Sequence, residues 1–163
     1  MAITEARAIL GELLQLWWLL ALVAGIGAVR AADWLRRQRR LSRSGIAEID
    51  AMTGAAFEQR LAILFRGLGY SVRHVGRRGD YGGDLVIEKD GVRTVVQAKR
   101  WTRNVNVKAV QEAHAAPAMY GCTRALVVTN RYFTTPARRL ARANNVDLWD
   151  RDRLMSALLS VAK

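Results

Sequence analysis

Cysteine is almost missing from this chain, and the single Cys122 excludes an internal disulfide. No Cys/His spacing offers a zinc site, and both absences agree with a reducing cytoplasm. There is no internal repeat, and no low-complexity tract outside one arginine cluster. Acids are scarce too, 14 against 26 lysines and arginines, for a net charge of +12. Such an excess suits a polyanionic partner, through counterion release on phosphate binding. GC-rich coding would give the same bias, since 22 of the 26 basic residues are arginine, so charge points to nucleic acid only alongside a site.

A hydrophobic content of 51% in 163 residues allows one globular domain plus something besides. The surplus lies at the start. Leu13 to Val29 is apolar apart from Gln15, and a helix over about 9–29 approaches the ~20 apolar residues that a bilayer crossing requires. Trp17 and Trp18 suit the headgroup boundary. Arg30, Arg36, Arg37, Arg39, Arg40 and Arg43 follow against one acid, Asp33, an asymmetry that keeps the C-terminal side cytoplasmic. A cleaved signal peptide would want a basic start, whereas Glu5 and Glu12 flank Arg7. The expectation is an N-terminal region over 1–31 with a single transmembrane helix, a basic juxtamembrane connector over 32–51, and a cytoplasmic domain over 52–163.

That domain reads as α/β. Phe57, Leu61, Leu64, Phe65 and Leu68 form one stripe of a helix over about 53–68, which Gly69 stops. Strands are expected over 70–75, 84–89 and 92–99. A helix then starts after Asn106, with Pro117 ending or kinking it. Arg124 to Thr129 carries the continuous apolar run of a strand covered on both faces. A helix led by Thr134 or Thr135 with Pro136, a short strand over 146–149 and a helix capped by Asp150 complete the order α-β-β-β-α-β-α-β-α.

The chemistry gathers at one hairpin. Asp90-Gly91 between two β-like runs is a strong two-residue turn signal, and it pairs Lys89 with Val92. Counting back along both strands sets Asp84 opposite Gln97, with Lys99 on the same face at the diagonal position. A carboxylate and an amide oxygen at that spacing could share Mg²⁺ (or Mn²⁺) beside the ammonium. A metal there acidifies a bound water and polarises a phosphate, while Lys99 orients the water or offsets developing charge. Taken singly, Asp84 reads as a loop cap and Lys99 as an ordinary strand-end lysine.

On these residues the chain resembles the Mrr-like restriction endonucleases of the PD-(D/E)xK nuclease superfamily. The matching stretches are Gly54-Ala55-Ala56-Phe57-Glu58, Leu68-Gly69-Tyr70, Gly79-Asp80-Tyr81-Gly82-Gly83-Asp84, Val96-Gln97-Ala98-Lys99 and Val128-Thr129-Asn130, within about Asp50 to Leu154. The resemblance implies a restriction-endonuclease-like core, a mixed sheet flanked by helices in the order α-β-β-β-α-β. It also implies that Asp84 is the metal-binding aspartate, Gln97 the substituted acidic position, Lys99 the catalytic lysine and Glu58 a helix glutamate assisting at the metal. Gly83 departs from the aliphatic residue that many relatives carry there.

Basic and aromatic residues flank this site. Arg77 and Arg78 could hold phosphates from a glycine-rich turn, and Arg100, Trp101 and Arg103 could track a nucleic-acid backbone and stack on a base. Equally, the first pair belongs to a solvated turn and Trp101 packs on the domain. The expected protein is a membrane-anchored, Mg²⁺-dependent DNA endonuclease, with a homodimer implied if both strands are cut. A DNA-binding module that tethers without cutting is the alternative.

Overall fold

Thr53 starts a helix by turning its hydroxyl back on the chain, where it accepts from the Ala56 N–H at 3.2 Å. Such a cap satisfies one of the helix-start donors that otherwise lack a partner. The computed structural model describes residues 2–76 and 82–161, with side chains described for 17–33, 36, 45–76 and 82–161. The chain divides into two units, Met1–Leu41 and Ser42–Lys163.

Helix α1 runs over Ala2–Ala51 and α2 over Gly54–Gly67. Strands β1 (Ser71–His74), β2 (Leu85–Lys89) and β3 (Val92–Lys99) follow, then α3 (Val107–Tyr120), β4 (Arg124–Thr129), α4 (Thr135–Ala143), β5 (Val146–Trp149) and α5 (Arg151–Val161). The five strands form one sheet in the order β1-β2-β3-β4-β5. The first three are antiparallel neighbours, whereas β3, β4 and β5 run parallel. Two parallel steps need crossover helices, which α3 and α4 supply. This is the expected mixed α/β sheet flanked by helices.

Local signals explain most of the element ends. Asp90 and Gly91 both have positive φ, 52° and 77°, as a two-residue turn matched to strand twist demands. Asn106 accepts from the Lys108 N–H to start α3, and Thr134 accepts from the Ala137 N–H to start α4. Asp150 does the same for α5 through the Arg153 N–H. Pro117 does not end α3, which continues one turn to Gly121 in the left-handed conformation. A proline so near the end removes one backbone donor, and the Gly121 N–H closes the last turn on the Pro117 carbonyl.

The sheet separates two apolar layers. On one face α2 and α5 bury Phe57, Leu61, Phe65 and Leu154 against Leu85, Ile87, Val96 and Val128, joined by Ile46 and Ile49 from the end of α1. On the other, α3 and α4 bury Ala109, Val110, Ala113 and Ala137 against Val95, Ala125 and Val127. The first layer is built on large side chains and the second on alanines, so α3 lies close to the strands. Full burial of a phenylalanine contributes roughly 1.5–3 kcal/mol, and Phe57 and Phe65 are both fully buried.

The expected transmembrane helix over about 9–29 finds no support, because among the described residues no helix is long and apolar enough to cross a membrane. The stretch is helical as part of α1, but its side chains are described only from Trp17 onward. Trp17 to Val29 is 13 residues, ~20 Å of helix, and the hydrocarbon core is ~30 Å thick.

Candidate active site

Strands β2 and β3 pair from Lys89↔Val92 to Leu85↔Val96, the register that the Asp-Gly turn predicts. Asp84 sits one residue ahead of β2 and extends the ladder by donating its N–H to the Val96 carbonyl at 2.9 Å. Its own carbonyl accepts from Val75 at 2.9 Å and Gly76 at 3.2 Å, which ties it to the other flanking strand. Its carboxylate accepts from the Ala98 N–H at 2.6 Å, a short charge-assisted bond. Asp84 is therefore held from both flanking strands.

Gln97 and Lys99 share the β3 face that α3 covers, since Val95, two residues earlier, packs with α3. Gln97 is 4% exposed. Its Nε2 donates to Glu112 Oε2 at 2.8 Å, and Lys99 Nζ donates to the same oxygen at 2.9 Å. Gln97 Oε1 is buried and has no hydrogen-bond partner. An amide oxygen left so normally costs about 1–3 kcal/mol, so it stands as an acceptor for something that binds.

These groups line one cleft of about 650 Å³, in which Asp84, Gln97, Lys99 and Glu112 face one another. Burial works to raise the Glu112 pKa, but hydrogen bonds from Lys99 and Gln97 and the charges of Lys99 and Lys108 outweigh it and hold the carboxyl below its ordinary value. Among the described residues no group of three or more His, Cys, Asp or Glu side chains could hold a metal. The oxygen donors here are the Asp84 carboxylate and Gln97 Oε1, both hard ligands, with the Glu112 carboxylate beside them. These residues fit a Mg²⁺-type ion.

Glu112 is absent from the sequence reading, although one signal pointed to it. Between Asp90 and Asp147 it is the only acidic residue. Glu58, expected to assist at the metal, is half-buried on α2, which packs on the sheet face opposite α3. It has a partner of its own and is not among the residues lining the cleft.

Gly83 also acquires a reason. A Cβ on it would come within 2.6 Å of Val95 Cγ2 and 2.7 Å of Tyr120 Cε2, so this chain fills with Tyr120 the space that a larger residue would occupy. Glycine lets the backbone pass close enough to deliver Asp84.

Arg100, Trp101 and Arg103 line a second cleft of about 640 Å³ with Asn104 and Asn106. Trp101 is partly open, and its backbone N–H donates to Asn130 Oδ1 at 2.9 Å. The Arg100 guanidinium donates to the Asp50 carbonyl, so this arginine also secures the end of α1. Asp50 in turn accepts from Asn130 Nδ2 at 2.7 Å and from Arg151 at 3.0 Å. Arg77 and Arg78 lie outside the described residues.

A family model described as a restriction endonuclease, that of the Mrr catalytic domain, matches residues 49–158. The chain belongs to this family. The sheet, the cleft and the Gln97-Ala98-Lys99 motif all fall inside the matched range. Solved structures share the fold. The DNA modification-dependent restriction endonuclease AspBHI aligns with a TM-score of 0.52 and 17% identity over 75% of this chain and 36% of its own. MspJI restriction endonuclease, in complex with a 27-mer oligonucleotide, gives 0.50 and 20% over 74% of this chain and 30% of its own. AF1548, a protein of unknown function, gives 0.51 and 20% over 57% and 55%. The chain therefore spans about half or less of the length of these proteins. No curated protein matches it in sequence.

Proposed function

We propose that this Mrr-type domain is a Mg²⁺-dependent endonuclease that hydrolyses phosphodiester bonds of DNA. The observation that carries the proposal is the convergence of Asp84, Lys99 and the buried, unpartnered Gln97 Oε1 on one cleft. Asp84 and Gln97 would hold the ion, which supplies polarisation of the scissile phosphate and a more acidic attacking water. Lys99 sets a positive charge where the phosphoryl oxygens gain negative charge during attack. Thr129 Oγ1 anchors the Lys99 backbone by donating to its carbonyl at 2.7 Å, and Glu112 Oε2 holds its ammonium at 2.9 Å. Trp101 and Arg103, next along the chain, form an open basic and aromatic surface suited to the backbone and bases of a bound strand.

Cutting a duplex on both strands needs two such sites, so the reading implies a homodimer. Restriction of modified DNA is the role in keeping with the family and with AspBHI. Supercoiled plasmid, methylated and unmethylated, incubated with the protein should be nicked with Mg²⁺ and left intact with EDTA. Retention of DNA without nicking under any divalent ion would make the protein a tether instead.

We also propose that the domain works at the cytoplasmic face of a membrane to which residues 17–29 attach it. Support comes from Trp17, Trp18, Leu20, Val23 and Val29, each more than half exposed, and from the arginines that follow them. Full-length protein should sediment with membranes and be released by detergent but not by high salt. Release by salt alone would reduce the attachment to charge.

A further inference from the structure

We propose that Glu112 is a positioning residue of the cleavage reaction, which orients the Gln97 amide with its oxygen toward the cation and supplies from α3 the negative charge that Gln97 lacks. The inference rests on reading the cleft as a divalent-cation site. A primary amide has two ends of nearly equal size, one a donor and one an acceptor, so shape alone does not decide which end meets a cation. An acceptor-only neighbour does decide it. Glu112 Oε2 takes the Nε2 end at 2.8 Å, and the reverse orientation would set amide oxygen against carboxylate. The oxygen is thereby left buried and unpartnered, ready as a ligand.

The same carboxylate oxygen holds Lys99 Nζ at 2.9 Å, so one group sets both side chains of the motif. Glu112 is itself fixed in place. Asn106 starts its helix, and Gly82 lies so close that a Cβ there would be 3.0 Å from the Glu112 carbonyl. A bond that merely tied α3 to the sheet would have no need to leave Gln97 Oε1 without a partner. The alanine-lined packing of α3 already makes that tie.

Mn²⁺ binding in the absence of DNA, followed by electron paramagnetic resonance, tests this apart from activity. Wild type should bind Mn²⁺ and Asp84→Ala should not. Glu112→Gln, close to isosteric, should bind about 10- to 100-fold more weakly at an unchanged melting temperature. The double variant Q97E/E112Q, which moves the carboxylate to β3 and the amide to α3, should recover most of that loss and cleave plasmid faster than Glu112→Gln. Equal binding by Glu112→Gln and wild type, or a double variant as weak as Glu112→Gln, overturns the positioning role and leaves the cation site standing. Wild type with no Asp84-dependent Mn²⁺ binding overturns both.

Discussion

Lys99→Ala should slow Mg²⁺-supported plasmid nicking by about a thousandfold, ~4 kcal/mol of lost transition-state stabilisation, while the protein still binds DNA. The size follows from what the site contains. Among the described residues that line the cleft, the charged groups are Asp84, Glu112 and Lys99, so Lys99 is the one described cation in its lining. The variant also releases Glu112, whose Oε2 keeps only the Gln97 amide as donor. Binding should survive because Trp101 and Arg103 lie in the neighbouring cleft. Single-turnover nicking rates with a parallel filter-binding assay separate the two effects. A Lys99→Ala protein that nicks at the wild-type rate removes Lys99 from the chemistry.

The second large effect concerns stability, at Asp50. This side chain, 24% exposed, joins three distant parts of the domain, through Asn130 after β4, Arg151 at the start of α5 and its own place at the end of α1. Burial works to raise its pKa, yet hydrogen bonds from Asn130 and Arg151 and the charges of Arg151 and Arg131 hold it below the ordinary value. A carboxyl with a depressed folded-state pKa adds stability above its unfolded pKa of about 3.9, and that stability is lost as pH falls through the folded value. Asp50→Ala should therefore cost about 2–3 kcal/mol near neutrality, where Arg151 and Asn130 lose their acceptor. The difference from wild type should shrink at acid pH. Urea midpoints for both proteins at neutral pH and near pH ~3 measure it, and coincident midpoints at neutrality would remove Asp50 from the fold's support. Because Asn130 also accepts from the Trp101 backbone, the variant should loosen the segment just after Lys99.

How far the chain could be read along its length depends on which signals are local. The register of the β2–β3 hairpin was legible because two turn residues set it, and Lys89↔Val92 with its successors follows from Asp90-Gly91 alone. The β4 strand was legible from four consecutive apolar residues, which is what a strand between two helical layers requires. Asn106, Thr134 and Asp150 announced their helices, because a cap acts within three residues of itself.

Glu112 was hidden for the opposite reason. Its place beside Gln97 and Lys99 depends on how α3 is rotated against the sheet, and that rotation comes from Ala109, Val110 and Ala113 meeting Val95 and Val127. No spacing along the chain states it. The burial of Ile46 and Ile49 at the end of α1, and the closeness of Gly83 to Tyr120, are likewise contacts between remote segments. Turn chemistry, apolar runs and caps were enough to set out the strands, their order and the pairing of Asp84 with the Gln97-Ala98-Lys99 motif, since neighbours in the chain carry that information. Which carboxylate completes the pocket, and which face of the sheet each helix covers, was left to three-dimensional packing, where side chains far apart in the chain compete for the same space.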